Sequence, residues 1–159
     1  MILDALQQFS GTVNPTAGQL ITATGNTVST NVVDLGTARD IGQGESLEVA
    51  IQILQTLTSG GSATVQFQLV GADDAAISTN VNVYVQTDAF VYSTLTAGKM
   101  IPLHWDRAAP YPARRYVAVR YVIGTAVLTN GTGQFFATTV KNFQDSGNST
   151  IFASGFTVA

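Results

Sequence analysis

Apolar residues fall on every second position through much of this chain, and that period limits what it can fold into. Leu47, Val49, Ile51 and Ile53 alternate with Glu48, Ala50 and Gln52, so an extended segment here turns one face to a core and the other to solvent. Val65, Phe67 and Leu69 repeat the pattern against Gln66 and Gln68, and Thr58-Ser59-Gly60-Gly61-Ser62 breaks the chain between the two runs. A glycine-rich break between two alternating runs predicts a hairpin. Val81, Val83 and Val85 make a third run, and Val117, Val119, Tyr121 and Ile123 a fourth and stronger one. Shorter strands are expected at Asn31 to Leu35, Phe90 to Tyr92, Met100 to Leu103 and Gln134 to Val140. Pro102 has no N–H to donate and suits an edge or a strand end.

About eight strands at short spacing, with no amphipathic helical segment, predict an all-β, two-sheet antiparallel sandwich, either jelly roll or immunoglobulin-like. The strand count favours the jelly roll. The sandwich is expected over residues 19–142, between an N-terminal arm at 1–18 and a C-terminal extension at 143–159. The arm carries Ile2, Leu3, Leu6 and Phe9, and the extension carries Phe152 and Phe156. Apolar residues on a terminus dock somewhere: on the chain's own sandwich, or on a neighbour in the manner of strand addition.

Only 11% of the 159 residues are charged, against roughly 25% in ordinary soluble domains. A surface this neutral must rely on Thr, Ser, Asn and Gln, or be covered by other subunits. The net charge of −3 repels phosphate backbones, so nucleic acid is not an expected partner. Cysteine is absent, which removes disulfides and thiolate chemistry. The apolar runs fall far short of the roughly 20 residues of a membrane span. Met1-Ile2-Leu3-Asp4-Ala5 lacks the basic start and long apolar run of a secretory signal, so synthesis in the host cytoplasm is expected.

Catalytic chemistry has little to stand on. His104 is the sole histidine; it cannot build a multi-histidine metal site, and no Gly-x-Ser-x-Gly elbow accompanies it. It reads as a strand end entering a loop, with Trp105 packed on Pro110 or Pro112. Asp73 and Asp74 do not match a calcium loop and read as a turn. Arg107, Arg114, Arg115 and Arg120 place four of the seven basic residues in one short span. They form either local ion pairs or a subunit contact, and Arg107, Arg114 and Arg115 are candidate interface residues. In the loop from Asp34 to Glu45, Arg39 lies between Asp34 and Asp40, an arrangement that suits a structural clasp.

At that loop a family resemblance enters. Residues Ser29-Thr30-Asn31-Val32-Val33-Asp34-Leu35-Gly36-Thr37-Ala38-Arg39-Asp40-Ile41-Gly42 resemble a segment of the jelly-roll capsid cement (decoration) proteins of tailed double-stranded DNA phages. The opening Met1 to Ala5 with Phe9-Ser10 is similar to the start of that family, and Arg115 to Tyr121 with Val122-Ile123-Gly124 to its late strand. The resemblance spans the chain to about residue 145. It implies a jelly roll on the capsid outer surface of the virion, and the low charge and apolar termini add the expectation of a homodimer or homotrimer. There the protein would clamp a major capsid protein of HK97-type fold, with no enzyme activity and no cofactor. The alternative is a carbohydrate-binding β-sandwich of a phage fibre or adhesin, drawing on Trp105 and Tyr111.

Overall fold

The computed structural model describes residues 7–11, 18–38, 47–105, 112–129 and 131–140. Among these are eleven strands in two antiparallel sheets. One sheet holds β1 (Gln8–Ser10), β2 (Gln19–Leu20), β5 (Leu47–Ile53), β9 (Met100–Trp105) and β11 (Gln134–Val140), ordered β1-β11-β5-β9 with β2 also on β11. The other holds β3 (Gly25–Val28), β4 (Val33–Asp34), β6 (Thr64–Ala72), β7 (Asn82–Gln86), β8 (Phe90–Val91) and β10 (Tyr116–Gly124). Its order is β3-β10-β6-β7, with β4 on β10 and β8 on β6.

Three strands are interrupted. β1 and β2 take successive lengths of one edge of β11, β3 and β4 of one edge of β10, and β7 and β8 of one edge of β6. With each pair counted once, eight positions remain, and the first pairs with the eighth, the second with the seventh, the third with the sixth and the fourth with the fifth. The chain doubles back on itself as one long hairpin and then rolls up. That wrapping is a jelly roll, and it rules out the immunoglobulin-like alternative.

The period-two pattern explains which residues face the core. Val49, Ile51 and Ile53 of β5, Val65, Phe67 and Leu69 of β6, and Val117, Val119, Tyr121 and Ile123 of β10 are all buried between the sheets. At the centre, the Phe67 ring meets Tyr121 edge-on (centroids 5.9 Å apart, 82°) and Phe135 likewise (5.7 Å, 73°), while Tyr121 stacks on Phe135 (5.0 Å, 30°). Phe67 and Tyr121 belong to one sheet and Phe135 to the other, so the trio couples the layers. Each such pair contributes about 0.5–1.5 kcal/mol beyond its buried area.

A polar chain runs from this cluster to the open side of the sandwich. The fully buried Tyr121 hydroxyl donates to Ser10 Oγ (2.8 Å), and Ser10 Oγ donates to Gln19 Oε1 (2.7 Å). Gln19 Nε2 donates to the Val28 carbonyl (2.9 Å), and its Oε1 accepts from the Thr30 N–H (2.8 Å). Asn31 adds its N–H to the Phe9 carbonyl (2.9 Å) and its Nδ2 to that of Gln8 (3.1 Å). Both sheets are therefore tied along the β1–β3 side; the Tyr121 and Ser10 hydroxyls at the inner end are fully buried, where a polar group left unpaired is costly.

Several expectations change. The runs at 47–53 and 65–69 do not form a hairpin: β5 and β6 lie in different sheets, and residues 54–63 cross between them. Alternation says which face is buried, not which strand lies alongside. Phe9 is not free for a partner; it is completely buried in the chain's own core, and β1, inside the expected arm, is part of the sandwich. Of the two prolines expected beside Trp105, Pro110 lies outside the described residues, and the ring contact that Trp105 makes is with Tyr84. Trp105 is 8% exposed and stacks on Tyr84 (6.4 Å, 13°). Gly71 makes room for that ring, because a Cβ there would overlap the Tyr84 side chain. Pro102 does lie on an edge strand, exposed on β9.

Two substitutions test this packing. Phe9→Ala should lower the unfolding free energy by about 3–5 kcal/mol, and Tyr121→Phe by about 1–3 kcal/mol because Ser10 loses its donor. Urea denaturation followed by tryptophan fluorescence reads both. Wild-type stability in Phe9→Ala would return that residue to the role of a partner contact.

Candidate functional site

The two ends of the sandwich differ in charge. At one end, Asp34, Asp73, Asp74, Arg114 and Arg115 sit where β4, β6 and β10 meet the loops. Arg115 grips Asp34 with two parallel bonds, Nε to Oδ1 and Nη2 to Oδ2, each 2.8 Å. The Gly36 N–H adds a third bond to Oδ1 (2.8 Å). The guanidinium, then the Gly36 N–H, hold the Asp34 carboxyl down at about 2. Arg114 Nη1 reaches both oxygens of Asp73 at 3.0 Å, and Asn80 Nδ2 donates to the same carboxylate (2.8 Å). Asp74 folds the 73–79 turn: it accepts from the backbone N–H groups of Thr79 (2.6 Å) and Ser78 (3.0 Å) and from the Ser78 hydroxyl (2.8 Å). Those bonds, the Thr79 N–H foremost, lower its pKa to about 2.

The candidate interface arginines Arg114 and Arg115 thus serve local ion pairs between strands, and the clasp on Asp34 comes from Arg115. Ile2, Leu3, Leu6, Arg39, Asp40, Arg107, Phe152 and Phe156 lie outside the described residues. His104, exposed on β9, sets its Nδ1 3.2 Å from Glu48 Oε1 across the strand pair.

The opposite end is nearly free of charge. Loops at 21–24, 54–63, 92–99 and 125–133 gather there, because β3, β6, β9 and β11 start at this end and β2, β5, β8 and β10 finish there. They are sewn to one another: Leu128 N–H to the Thr22 carbonyl (2.9 Å), Leu57 N–H to that of Leu95 (3.0 Å), Thr129 N–H to that of Thr58 (2.8 Å), and the Ser59 hydroxyl to that of Val127 (2.7 Å). Among the described residues of these loops Lys99 is the one charged side chain. Its ammonium folds inward, donating to the Thr94 carbonyl (2.9 Å) and lying over the Phe90 ring (5.4 Å). The remaining exposed surface is mostly threonine, serine, glycine and alanine, with Gln55 and Val127.

Val127 (57% exposed) lies in this end, and Leu20 and Val91 (49% each) lie in the strand ends that border it. Sequence reasoning passed over all three, since an isolated apolar residue carries no signal until the topology places it at the same end of the sandwich as the others. A detectable clue was the run of loops rich in Thr and Ser and almost without charge. Among the described residues no group of three or more His, Cys, Asp or Glu could hold a metal ion.

The carboxylates at the charged end fix the sign of an acid response. Asp34 and Asp74 fall from 3.8 to about 2 on folding. Their stabilisation is complete above about pH 4 and is lost as pH falls toward 2, because the unfolded chain takes up protons first. Melting temperature should therefore drop between pH 4 and 2, and Asp34→Asn combined with Asp74→Asn should flatten that drop. An unchanged slope in the double variant would contradict the assignment.

No curated protein matches the chain. The model of the Bbp16 family matches residues 16–139, from ahead of β2 to within one residue of the end of β11. By that match, which takes in nearly the whole sandwich, the chain belongs to the phage-related Bbp16 family.

Proposed function

We propose that this protein is a capsid cement protein of a tailed double-stranded DNA phage. In this reading it binds the outer surface of the assembled shell in the virion and clamps neighbouring major capsid protein subunits of HK97-type fold, as a homodimer or homotrimer. One observation carries the reading: the sandwich ends in four interlocked loops with a single, internally satisfied charge, bordered by exposed Leu20, Val91 and Val127. Bringing such a surface against another protein desolvates a single ion, so the cost that penalises charged contacts is small. The phage-related family and the resemblance of residues 29–42 and 115–124 to cement proteins support the same reading. Those segments meet at the other end, where Tyr116 pairs with Asp34 and Val117 with Val33. They build scaffold and leave the neutral loops to make contact.

Of the two aromatic residues on which a glycan-binding role drew, Trp105 is buried against Tyr84, and Tyr111 lies outside the described residues. The cement reading follows simple linkage. A protein that binds the expanded shell and not its separated subunits stabilises the shell against outward pressure. Joining two or more sites can raise avidity by about 10²–10⁴ without new kinds of contact, over interfaces of about 1,200–2,000 Å².

The test is co-sedimentation with expanded shells stripped of the protein. Wild type should pellet with the shells, and Val127→Asp or Leu20→Asp should weaken binding at least about 10-fold by placing an unpaired charge in the contact. Ala76→Asp, in the turn at the far end, should bind as wild type does. Absence of wild-type binding would overturn the proposal.

A further inference from the structure

We propose that the outer face of the six-stranded sheet is a second docking surface, on which Arg120 receives a carboxylate of the shell protein in a two-pronged ion pair. The identity of the partner rests on the capsid reading above.

Val28, Arg120, Gln68 and Gln86 stand in one row across β3, β10, β6 and β7. Arg120 Nε donates to Gln68 Oε1 at 2.7 Å. Gln68 Nε2 donates to Gln86 Oε1 (2.8 Å) and Gln66 Oε1 (3.2 Å), and Gln66 Nε2 donates to the Thr87 carbonyl (2.8 Å). Every amide in the row is committed, and Gln68 is only 7% exposed. The guanidinium is therefore held at one corner by a fixed acceptor. Its two Nη groups are neither bonded nor buried among the described residues, so a planar pair of donors is presented outward.

A carboxylate matches that fork, and a point charge would not. Among the described residues Arg120 has no acidic partner, and the one carboxylate on its strand's flank, Asp34, is already taken by Arg115. Arg120 is also partly buried, which disfavours its charge and lowers its pKa. A half-desolvated cation without a counter-ion is a standing cost to the free protein, and an incoming carboxylate removes it.

The ground beside the row is apolar. Val70, Ala72, Ala118 and Ile77 form a cluster here that the chain itself already covers, and the apolar surface left beside the row is that of the half-buried Val28, Val83 and Tyr116 at its rim. A pre-positioned arginine beside apolar ground is the make-up of an interface centre. A second copy of the chain does not fit the same face. A two-fold pairing centred on this row would set another Arg120 opposite the first, and the nearby Asp34 and Asp73 are already engaged by Arg115 and Arg114.

Arg120→Gln and Arg120→Lys test the surface in the shell co-sedimentation assay, with thermal melting as the folding control. Arg120→Gln should melt within a few degrees of wild type and bind about 10- to 100-fold more weakly. Arg120→Lys keeps the charge but loses the fork and should recover part of that loss at most. Wild-type shell affinity in a folded Arg120→Gln or Arg120→Lys would overturn the inference and leave the capsid reading standing. Failure of the wild-type protein to bind shells would overturn the capsid reading, and this inference with it. If light scattering of the free protein shows that Arg120→Gln changes its oligomeric state, the occupant is a second copy and the inference also fails. If Arg120→Gln does not fold, Arg120→Lys alone decides by the same criterion.

Discussion

The two sheets stay face to face because Phe67, Tyr121 and Phe135 interlock across the core, and every surface discussed above depends on that contact. The trio does more than fill space. Tyr121 carries a hydroxyl into a region without water, and the demand of that group for a partner extends through Ser10 and Gln19 to the backbone of β3. An apolar contact thus fixes a polar one, which closes the side of the roll where β1 and β2 face β3. A phenylalanine in place of Tyr121 would keep the ring packing and lose the closure.

The alternation of apolar residues made the buried faces of β5, β6 and β10 legible from sequence, whereas β11 was expected only as a strand and buries four residues in a row. Alternation could not tell partners apart: β5 and β6 look like two arms of a hairpin yet lie in opposite layers. Strands of two to four residues, such as β1 to β4, are too short to show a period, and their pairing comes from longer neighbours that offer an edge. Phe9 misled because its flanking sequence is polar and terminal, while its burial is decided by β11. The arginine cluster was visible as a cluster, but its chemistry was not. Arg114 and Arg115 found aspartates 41 and 81 residues away along the chain, whereas Arg120 found a glutamine.

That difference organises the surface. Charge is concentrated at the β4–β10 end, where it stitches the protein's own strands, and is nearly absent from the end with the four interlocked loops. Such segregation suits a protein held between solvent on one side and other protein on the other. It also accounts for the low overall charge, since a surface meant to be covered gains nothing from ions that must be desolvated. Arg120 is the exception that sharpens the pattern: one cation, held still by a glutamine row, at a place where a single carboxylate could set orientation.

The most direct measurement is a cryo-EM reconstruction of stripped, expanded shells incubated with the purified protein. The account predicts jelly-roll density on the outer surface, spanning more than one shell subunit, with the loops around Thr22, Ser59, Thr96 and Val127 in contact with the shell. Shells that remain bare, or density in which the Asp34–Arg115 end makes the contact and the neutral loops point to solvent, would contradict it.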